Sequence, residues 1–319
     1  MINSKDSIHS LNITIVIPAY NVEAHIDAVL ESIPSFVDHI IVVDDASTDR
    51  TSELVREIVG NDSRIILVSH EANQGVGGAT ISGYLKALSL NTDIVVKLDG
   101  DGQMDPLYLP DLVAPIVENR ADYAKGNRFF DFIALRKMPI IRRIGNTLLG
   151  FFCKLSTGYW NIFDPTNGYT AILSKKLKQL NLEKIERSFY FEISMLANLY
   201  LVNSRVVDVP MPAIYNEESS NLKIHNVVLS FPFKLVGDFL RRIAFKYFLY
   251  DFSMASVYFL AGLPMVLFGA VFGAVKWIDY ASRAVPAPTG TVILPMMCVL
   301  LGIQFLLAAI HIDIQSMPK

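Results

Sequence analysis

Two carboxylates and a side-chain amide stand at alternate positions directly after an apolar run. Asp99, Asp101 and Gln103 follow residues 93–98, a segment rich in β-branched side chains. If the backbone stays extended, alternate side chains lie on one face, and these three converge on one point. Carboxylate and amide oxygens suit Mg²⁺ or Mn²⁺, in sites that keep positions open for substrate phosphates. The alternative is a solvated Asp-Gly turn that closes a strand, because both residue types favour turns.

The elements around this triplet decide between the two interpretations. Apolar runs alternate with helical patterns, which predicts a mainly parallel α/β sheet with right-handed crossovers. The runs cover residues 13–17, 40–43, 65–68 and 93–98. Ligands of such sheets bind at the carboxyl ends of the strands. Those ends carry Pro18 and Tyr20, Asp44 and Asp45, and Asp99 and Asp101. This coincidence favours a binding site over a simple turn.

Three glycines precede the helix that leads to the fourth strand. Gly75, Gly77 and Gly78 lack the Gly-Lys-Ser/Thr of a phosphate-binding loop, and their spacing misses the dinucleotide-binding pattern. They predict a tight turn that opens a helix, with its backbone close to a ligand.

The composition narrows the classes of partner. The chain has 319 residues and a formal net charge of −3, which gives no electrostatic case for nucleic acid. Its two cysteines, Cys153 and Cys298, lie in apolar surroundings and form neither a disulfide framework nor a zinc cluster. Residues 1–11 are polar and lack the apolar core of a cleaved signal peptide.

The C-terminal part of the chain predicts a membrane anchor. Hydrophobic residues make up 52% of the chain, which is high for a soluble protein. Residues 252–275 and 291–312 contain no Asp, Glu, Lys or Arg, and each is long enough to span a bilayer. A non-cytoplasmic hairpin over 276–290 would join them, and an amphipathic juxtamembrane helix over 226–251 would precede them. That helix carries Lys234, Arg241, Arg242 and Lys246. This basic excess predicts that the domain over 1–225 lies in the cytoplasm.

Residues 129–160 mix basic side chains with many aliphatic and aromatic ones. Such a segment is typical of helices that cover a sheet, and equally of a membrane interface. The two interpretations are compatible, and the sequence leaves both open.

Several motifs together resemble the family 2 glycosyltransferases with the GT-A (Rossmann-like) fold. The resemblance rests on residues 18–21 (PAYN), 42–49 (VVDDASTD) and 99–101 (DGD). Further segments are similar to the polyprenyl-phosphate sugar synthases, the dolichyl-phosphate mannose synthase group. These are Gln103, residues 126–128 (GNR) and residues 164–169 (DPTNGY). The resemblance covers about residues 12–225 and implies a membrane-anchored hexosyltransferase.

The resemblance also implies which residues bind the nucleotide-sugar, which bind the metal and which act in catalysis. The nucleotide-sugar would be bound by Pro18, Tyr20, Asp44, Asp45 and Asp99, with the first two framing the base. The metal, Mg²⁺ or Mn²⁺, would be bound by Asp99, Asp101 and Gln103. The catalytic set would be Asp101, Asp164 and Arg128, with Arg128 on phosphate and Asp164 facing donor sugar and acceptor.

The implied reaction moves a hexose from a nucleotide-sugar to a polyprenyl phosphate with inversion. A phosphate acceptor needs no general base, but it needs cations, for which Arg128, Arg136, Arg142 and Arg143 are candidates. Val22 stands where the family often has Glu near a guanine, which favours UDP over GDP. The remaining alternatives are a saccharide acceptor and a catalytically dead nucleotide-binding membrane scaffold. We expect the bacterial inner membrane as the location, and a homo-oligomer stays open.

Overall fold

The structure, a computed structural model, describes residues 10–130, 140–212 and 224–319. The chain divides into two compact units, residues 1–239 with 318–319, and residues 240–317.

One sheet of seven strands forms the centre of the first unit. The strands are Ile13–Ala19 (β1), His39–Asp44 (β2), Ile65–Ser69 (β3), Ile94–Lys97 (β4), Tyr123–Asn127 (β5), Thr170–Leu173 (β6) and Val206–Pro210 (β7). Their order is β3-β2-β1-β4-β6-β5-β7. All neighbours pair in parallel except β6, which runs antiparallel to both β4 and β5. The sequence-based prediction of a mainly parallel α/β sheet is therefore confirmed.

Helices connect these strands and follow them along the chain. They are Ile26–Glu31 (α1), Thr51–Val59 (α2), Gly75–Ser89 (α3), Leu109–Val117 (α4), Ile140–Thr157 (α5), Ser174–Leu177 (α6), Phe191–Leu201 (α7) and Ile224–Ala244 (α8). Every residue of β1 is buried, which explains why that central strand is apolar except at Thr14 and does not alternate.

Two long apolar helices dominate the second unit. After a π-helical turn at Phe245–Tyr250, Met254–Ser282 (α9) and Thr289–Gln315 (α10) follow. Both are long and apolar enough to cross a membrane, and only 11% and 17% of their most apolar windows are buried. A core helix of a soluble protein would bury most of that surface. The helices extend beyond the predicted spans 252–275 and 291–312, so the connection between them is shorter than predicted.

Small residues and a buried ion pair hold the second unit together. A Cβ on Gly262 would lie 2.9 Å from the Gly302 carbonyl oxygen, so α9 and α10 pack closely because these positions carry no side chain. The buried Arg242 donates to Asp313 Oδ1 at 2.7 Å, and the Tyr247 hydroxyl donates to the same oxygen at 2.7 Å. The C-terminal end of α10 is thereby fixed beside residues 242–247.

Candidate active site

The carboxyl ends of three strands form one edge of the sheet. β1 lies between β2 and β4 and is parallel to both. Because parallel neighbours end at the same edge, the predicted nucleotide-binding and metal-binding residues are brought together there.

The loops that follow β1 and β2 are bound to each other. Asn21, with a φ of 54°, accepts a hydrogen bond from the Thr48 amide at 2.8 Å and donates its own amide to Ser47 Oγ at 3.0 Å. The two loops thus form one rim. Tyr20 lies on this rim with 47% of its surface exposed, whereas Pro18 is buried within β1.

Asp45 is occupied by contacts within the chain. It is 2% exposed, and its Oδ1 accepts from His70 Nδ1 at 2.7 Å and from the Gln74 amide at 2.8 Å. Its Oδ2 accepts from the Gly75 amide at 2.8 Å. Asp45 therefore holds the turn that opens α3, and a direct contact with base or ribose stays a prediction. Sequence reasoning missed His70, although it follows β3 at the same edge.

Asp44 lies beside it at the end of β2. It is 5% exposed, and its Oδ1 accepts from the Ser47 amide at 3.1 Å. This contact fixes the turn after β2, and the predicted role in binding the nucleotide-sugar stays a prediction.

The predicted glycine turn is present, but the neighbour of its backbone is the chain itself. The amides of Gly77 and Gly78 donate to the Arg187 carbonyl at 2.9 and 3.2 Å. A Cβ on Gly77 would lie 2.5 Å from the Glu186 carbonyl oxygen. The segment before α7 therefore occupies these two amides, and a ligand beside this backbone stays a prediction.

The carboxylate triplet lies at the edge, but on a different backbone from the one predicted. β4 ends at Lys97, and a turn follows in which Gly102 has a φ of 72° and the Gln103 amide donates to Asp101 Oδ1 at 3.0 Å. The expectation that an extended strand aligns the three side chains is wrong. Asp99, Asp101 and Gln103 are all half-buried within this one turn.

The donor set of this turn still fits a hard divalent cation. Within the described ranges, no three acidic, His or Cys side chains cluster as a complete metal-binding set. The turn offers two carboxylates and an amide, all oxygen donors, which suits Mg²⁺ or Mn²⁺ with substrate oxygens in the remaining positions.

Two buried lysines lie beneath the site. Lys97 and Lys125 are in register with Thr170 of β6, one on each side. Lys97 Nζ lies 2.6 Å from Asp99 Oδ1 and 3.2 Å from Glu192 Oε1. Burial lowers the pKa of Lys97, but the charges of Asp99 and Glu192 outweigh burial and raise that pKa above its ordinary value.

Lys125 has a weaker set of charged neighbours. Its Nζ donates to the carbonyl of Asn167, and burial lowers the pKa of Lys125 to about 8. Sequence reasoning missed both lysines. The sequence pattern that could have identified such a residue is a lysine inside an apolar strand, as in the run 94–98.

Arg128 and Asp164 bind each other. Asp164 is fully buried, and its Oδ2 and Oδ1 accept from Arg128 Nε at 2.8 Å and Nη2 at 3.1 Å. The prediction treated them as separate catalytic groups, but the structure joins them in a bidentate pair. Arg136 lies outside the described residues, as do the side chains of Arg142 and Arg143.

Another carboxylate, that of Asp208 on β7, lies near this pair. Asp208 Oδ2 accepts from Asn127 Nδ2 at 3.1 Å and from the Phe163 amide at 2.7 Å. Burial raises the pKa of Asp208 to about 6. Sequence reasoning missed this residue, whose signal was an acidic side chain within a strand.

Helix α5 has one buried face and an exposed aromatic surface, and contact of that surface with a membrane stays a prediction. Cys153 is buried against Tyr190 and Ile193, so one face covers the domain. On the same helix, Phe151 and Phe152 are each 50% exposed. An aromatic surface of this kind is typical of a membrane interface.

The order of the strands and the acidic edge are those of a GT-A fold. Among solved structures, glucosyl-3-phosphoglycerate synthase of Mycobacterium tuberculosis, in complex with Mn²⁺, UDP and phosphoglyceric acid, matches with a TM-score of 0.55 at 21% identity. That match covers 75% of this chain and 81% of the other, and it concerns the fold alone. The chain belongs to glycosyl transferase family 2, which matches residues 14–180.

Two relatives narrow the comparison within the family. The chain is 33% identical over 221 residues to the UDP-N-acetylglucosamine–dolichyl-phosphate N-acetylglucosaminyltransferase of Methanococcus voltae, which covers 65% of this chain and 87% of the relative. It is 27% identical over 210 residues to the undecaprenyl-phosphate mannosyltransferase of Micrococcus luteus, covering 65% and 85%.

Proposed function

We propose that the chain is a metal-dependent, inverting glycosyltransferase that moves a hexose from a UDP-linked sugar to a polyprenyl phosphate. The observation that carries the proposal is the match, over 87% of its length, to a relative named for a UDP-sugar donor and a dolichyl-phosphate acceptor. The undecaprenyl-phosphate mannosyltransferase supports the same acceptor class. Val22, in place of a Glu near the base, supports UDP over GDP.

The pairing of Arg128 with Asp164 supports a phosphate acceptor. A sugar hydroxyl needs a general base, but both Asp164 oxygens accept from the Arg128 guanidinium, so this carboxylate is poorly suited to take a proton. A phosphate monoester has a second pKa of about 6 and is mostly a dianion at neutral pH. Its oxygen attacks the sugar carbon without a base, and the bond to the nucleoside diphosphate breaks in the same displacement.

Other residues at the edge of the sheet would bind the metal and the donor. Asp99, Asp101 and Gln103 would hold Mg²⁺ or Mn²⁺, which stabilises the charge that the departing diphosphate gains. Tyr20 contacts the base at the rim. Asp45 keeps the turn before α3 in place and so shapes the wall of the donor site.

The acceptor and the anchor both require a lipid bilayer. Phe151 and Phe152 give the catalytic unit an apolar surface, and α9 and α10 supply membrane-spanning helices. With the basic residues of α8 on the cytoplasmic side, the domain meets its nucleotide-sugar in the cytoplasm of a bacterial cell.

A tag near Ala284 should be accessible from the non-cytoplasmic side and a tag at Met1 should not, and the reverse pattern would contradict this orientation.

Lipid extraction after incubation tests the proposed reaction. Purified full-length chain with Mn²⁺ receives a panel of labelled UDP- and GDP-sugars together with polyprenyl phosphate, free polyprenol or an oligosaccharide. We expect label in the lipid phase with a UDP-sugar and polyprenyl phosphate alone. Equal transfer to polyprenol or to the oligosaccharide would refute the acceptor, and no turnover with any pair would favour a dead scaffold.

A further inference from the structure

Lys97 is a buried charge in contact with a predicted metal ligand. Its side chain is 1% exposed, whereas that of Asp99 is 27% exposed. The ammonium bridges Asp99 Oδ1 at 2.6 Å and Glu192 Oε1 at 3.2 Å. Because Lys97 holds one oxygen of Asp99, the ion pair sets the direction in which the remaining lone pairs of this carboxylate face a cation.

The loop over 164–169 is shaped around the same pair. A Cβ on Gly168 would lie 2.6 Å from Asp99 Oδ2 and 2.6 Å from Lys97 Nζ. The Gly168 carbonyl also accepts from Lys97 Nζ at 3.5 Å. No side chain fits at position 168 unless the pair moves. Strand β4, helix α7 and this loop therefore act together on the position of Asp99.

Stability alone does not account for a buried Lys97–Glu192 pair. Two apolar side chains of similar volume are often as stable as a buried ion pair, or more stable, because both charges must be desolvated. Hydrogen bonds from groups that do not themselves bind the metal, in contrast, orient metal-binding carboxylates, and the loss of such bonds weakens metal binding.

We propose that Lys97, held by Glu192, is a positioning residue for Asp99: it fixes the orientation of the carboxylate that binds the divalent cation. This inference rests on the proposed metal-dependent transfer and deepens it. Lys97 does not contact substrate in this scheme. It acts through Asp99.

The variant Lys97→Met/Glu192→Gln separates positioning from charge. It removes one positive and one negative charge, so the net charge near Asp99 is unchanged and no buried carboxylate is left without a partner. What it loses is the contact that holds Oδ1. Lys176→Met is the control, because the half-buried Lys176 also donates to backbone carbonyls, those of Val202 and Asn203, outside the loop over 164–169.

The measurement is the affinity for Mn²⁺, from the electron paramagnetic resonance of free Mn²⁺ titrated into full-length protein with saturating UDP. We expect the double variant to bind Mn²⁺ about 10- to 100-fold more weakly than wild type. Lys176→Met should keep the wild-type affinity even where its melting temperature falls. Equal affinity in wild type and double variant would overturn the positioning role and leave the proposed transfer intact.

Two other results of this experiment would also be informative. Wild type that binds no Mn²⁺ in the presence of UDP overturns the metal assignment, and this inference with it. If the double variant does not fold, Gly168→Ala decides by the same criterion, because its Cβ displaces the pair without removing a charge. Gly150→Ala is its control, since a Cβ there meets nothing within 4 Å.

Discussion

Replacing Arg128 by alanine distinguishes a phosphate-binding arginine from one that stabilises a buried carboxylate. Asp164 is fully buried in the structure, and Arg128→Ala would leave it the amide of residue 128 at 3.3 Å and Thr166 Oγ1 at 3.4 Å as donors. Removing one partner of a buried ion pair costs about 3–5 kcal/mol. The Arg128 side chain is 37% exposed, so solvent screening reduces this to about 2–3 kcal/mol.

The corresponding loss in melting temperature is large enough to measure. For a domain of this size, about 1 kcal/mol corresponds to a shift of about 2–4 °C, so Arg128→Ala should melt about 4–12 °C below wild type. Intrinsic fluorescence of the full chain in detergent reports the transition. Arg128→Ala/Asp164→Asn should recover part of the loss, because the uncompensated charge is gone.

The control and the refuting result are both specific. Arg120→Ala removes an exposed arginine that pairs with Glu118, and its melting temperature should stay near wild type. If Arg128→Ala melts at the wild-type temperature while its apparent KM for polyprenyl phosphate rises, then Arg128 contacts the acceptor directly. The pair with Asp164 would then not exist in solution.

Three other perturbations test separate parts of the structure. EDTA should abolish transfer, and added Mn²⁺ should restore it. Asp101→Asn should lose most turnover while its melting temperature stays unchanged. Full activity of Asp101→Asn would refute the metal assignment. Gly77→Ala should destabilise the protein by about 1–3 kcal/mol in thermal unfolding, because its Cβ meets the Glu186 carbonyl at 2.5 Å, whereas Gly145→Ala should not. Asp208, with its pKa raised to about 6, binds a proton more tightly in the folded state, so its contribution to stability should fall from pH 4 to pH 6. Asp208→Asn should remove that fall, and identical pH profiles would contradict it.

The sheet could be predicted from the sequence because its strands are local patterns. The runs over 13–17, 40–43, 65–68 and 93–98 each became a strand, and the carboxyl-edge rule then located the acidic residues. The direction of β6 could not be predicted in this way. It is determined by pairing with both β4 and β5, which no local pattern records.

The errors in the site have two physical causes. The alternation argument for Asp99 and Asp101 assumed a continuing strand, although Gly100 and Gly102 already favoured a turn. The second cause is distance along the chain. The hydrogen bond from Arg128 to Asp164 joins residues that are 36 positions apart. The sequence alone does not record this contact, so each residue was predicted as a separate catalytic group.

The buried lysine of β4 also bears on how the protein is made. Glu192 stands 95 residues after Lys97, so in a nascent chain that ends before α7 this ammonium has one of its two ion-pair partners, the partly exposed Asp99. Burying a charge whose partners are incomplete is costly, and β4 would keep that face hydrated until Glu192 leaves the ribosome. We expect the acidic edge to be among the last parts of the domain to mature during synthesis. Chains truncated within the first 190 residues should accumulate as open intermediates that depend on chaperones.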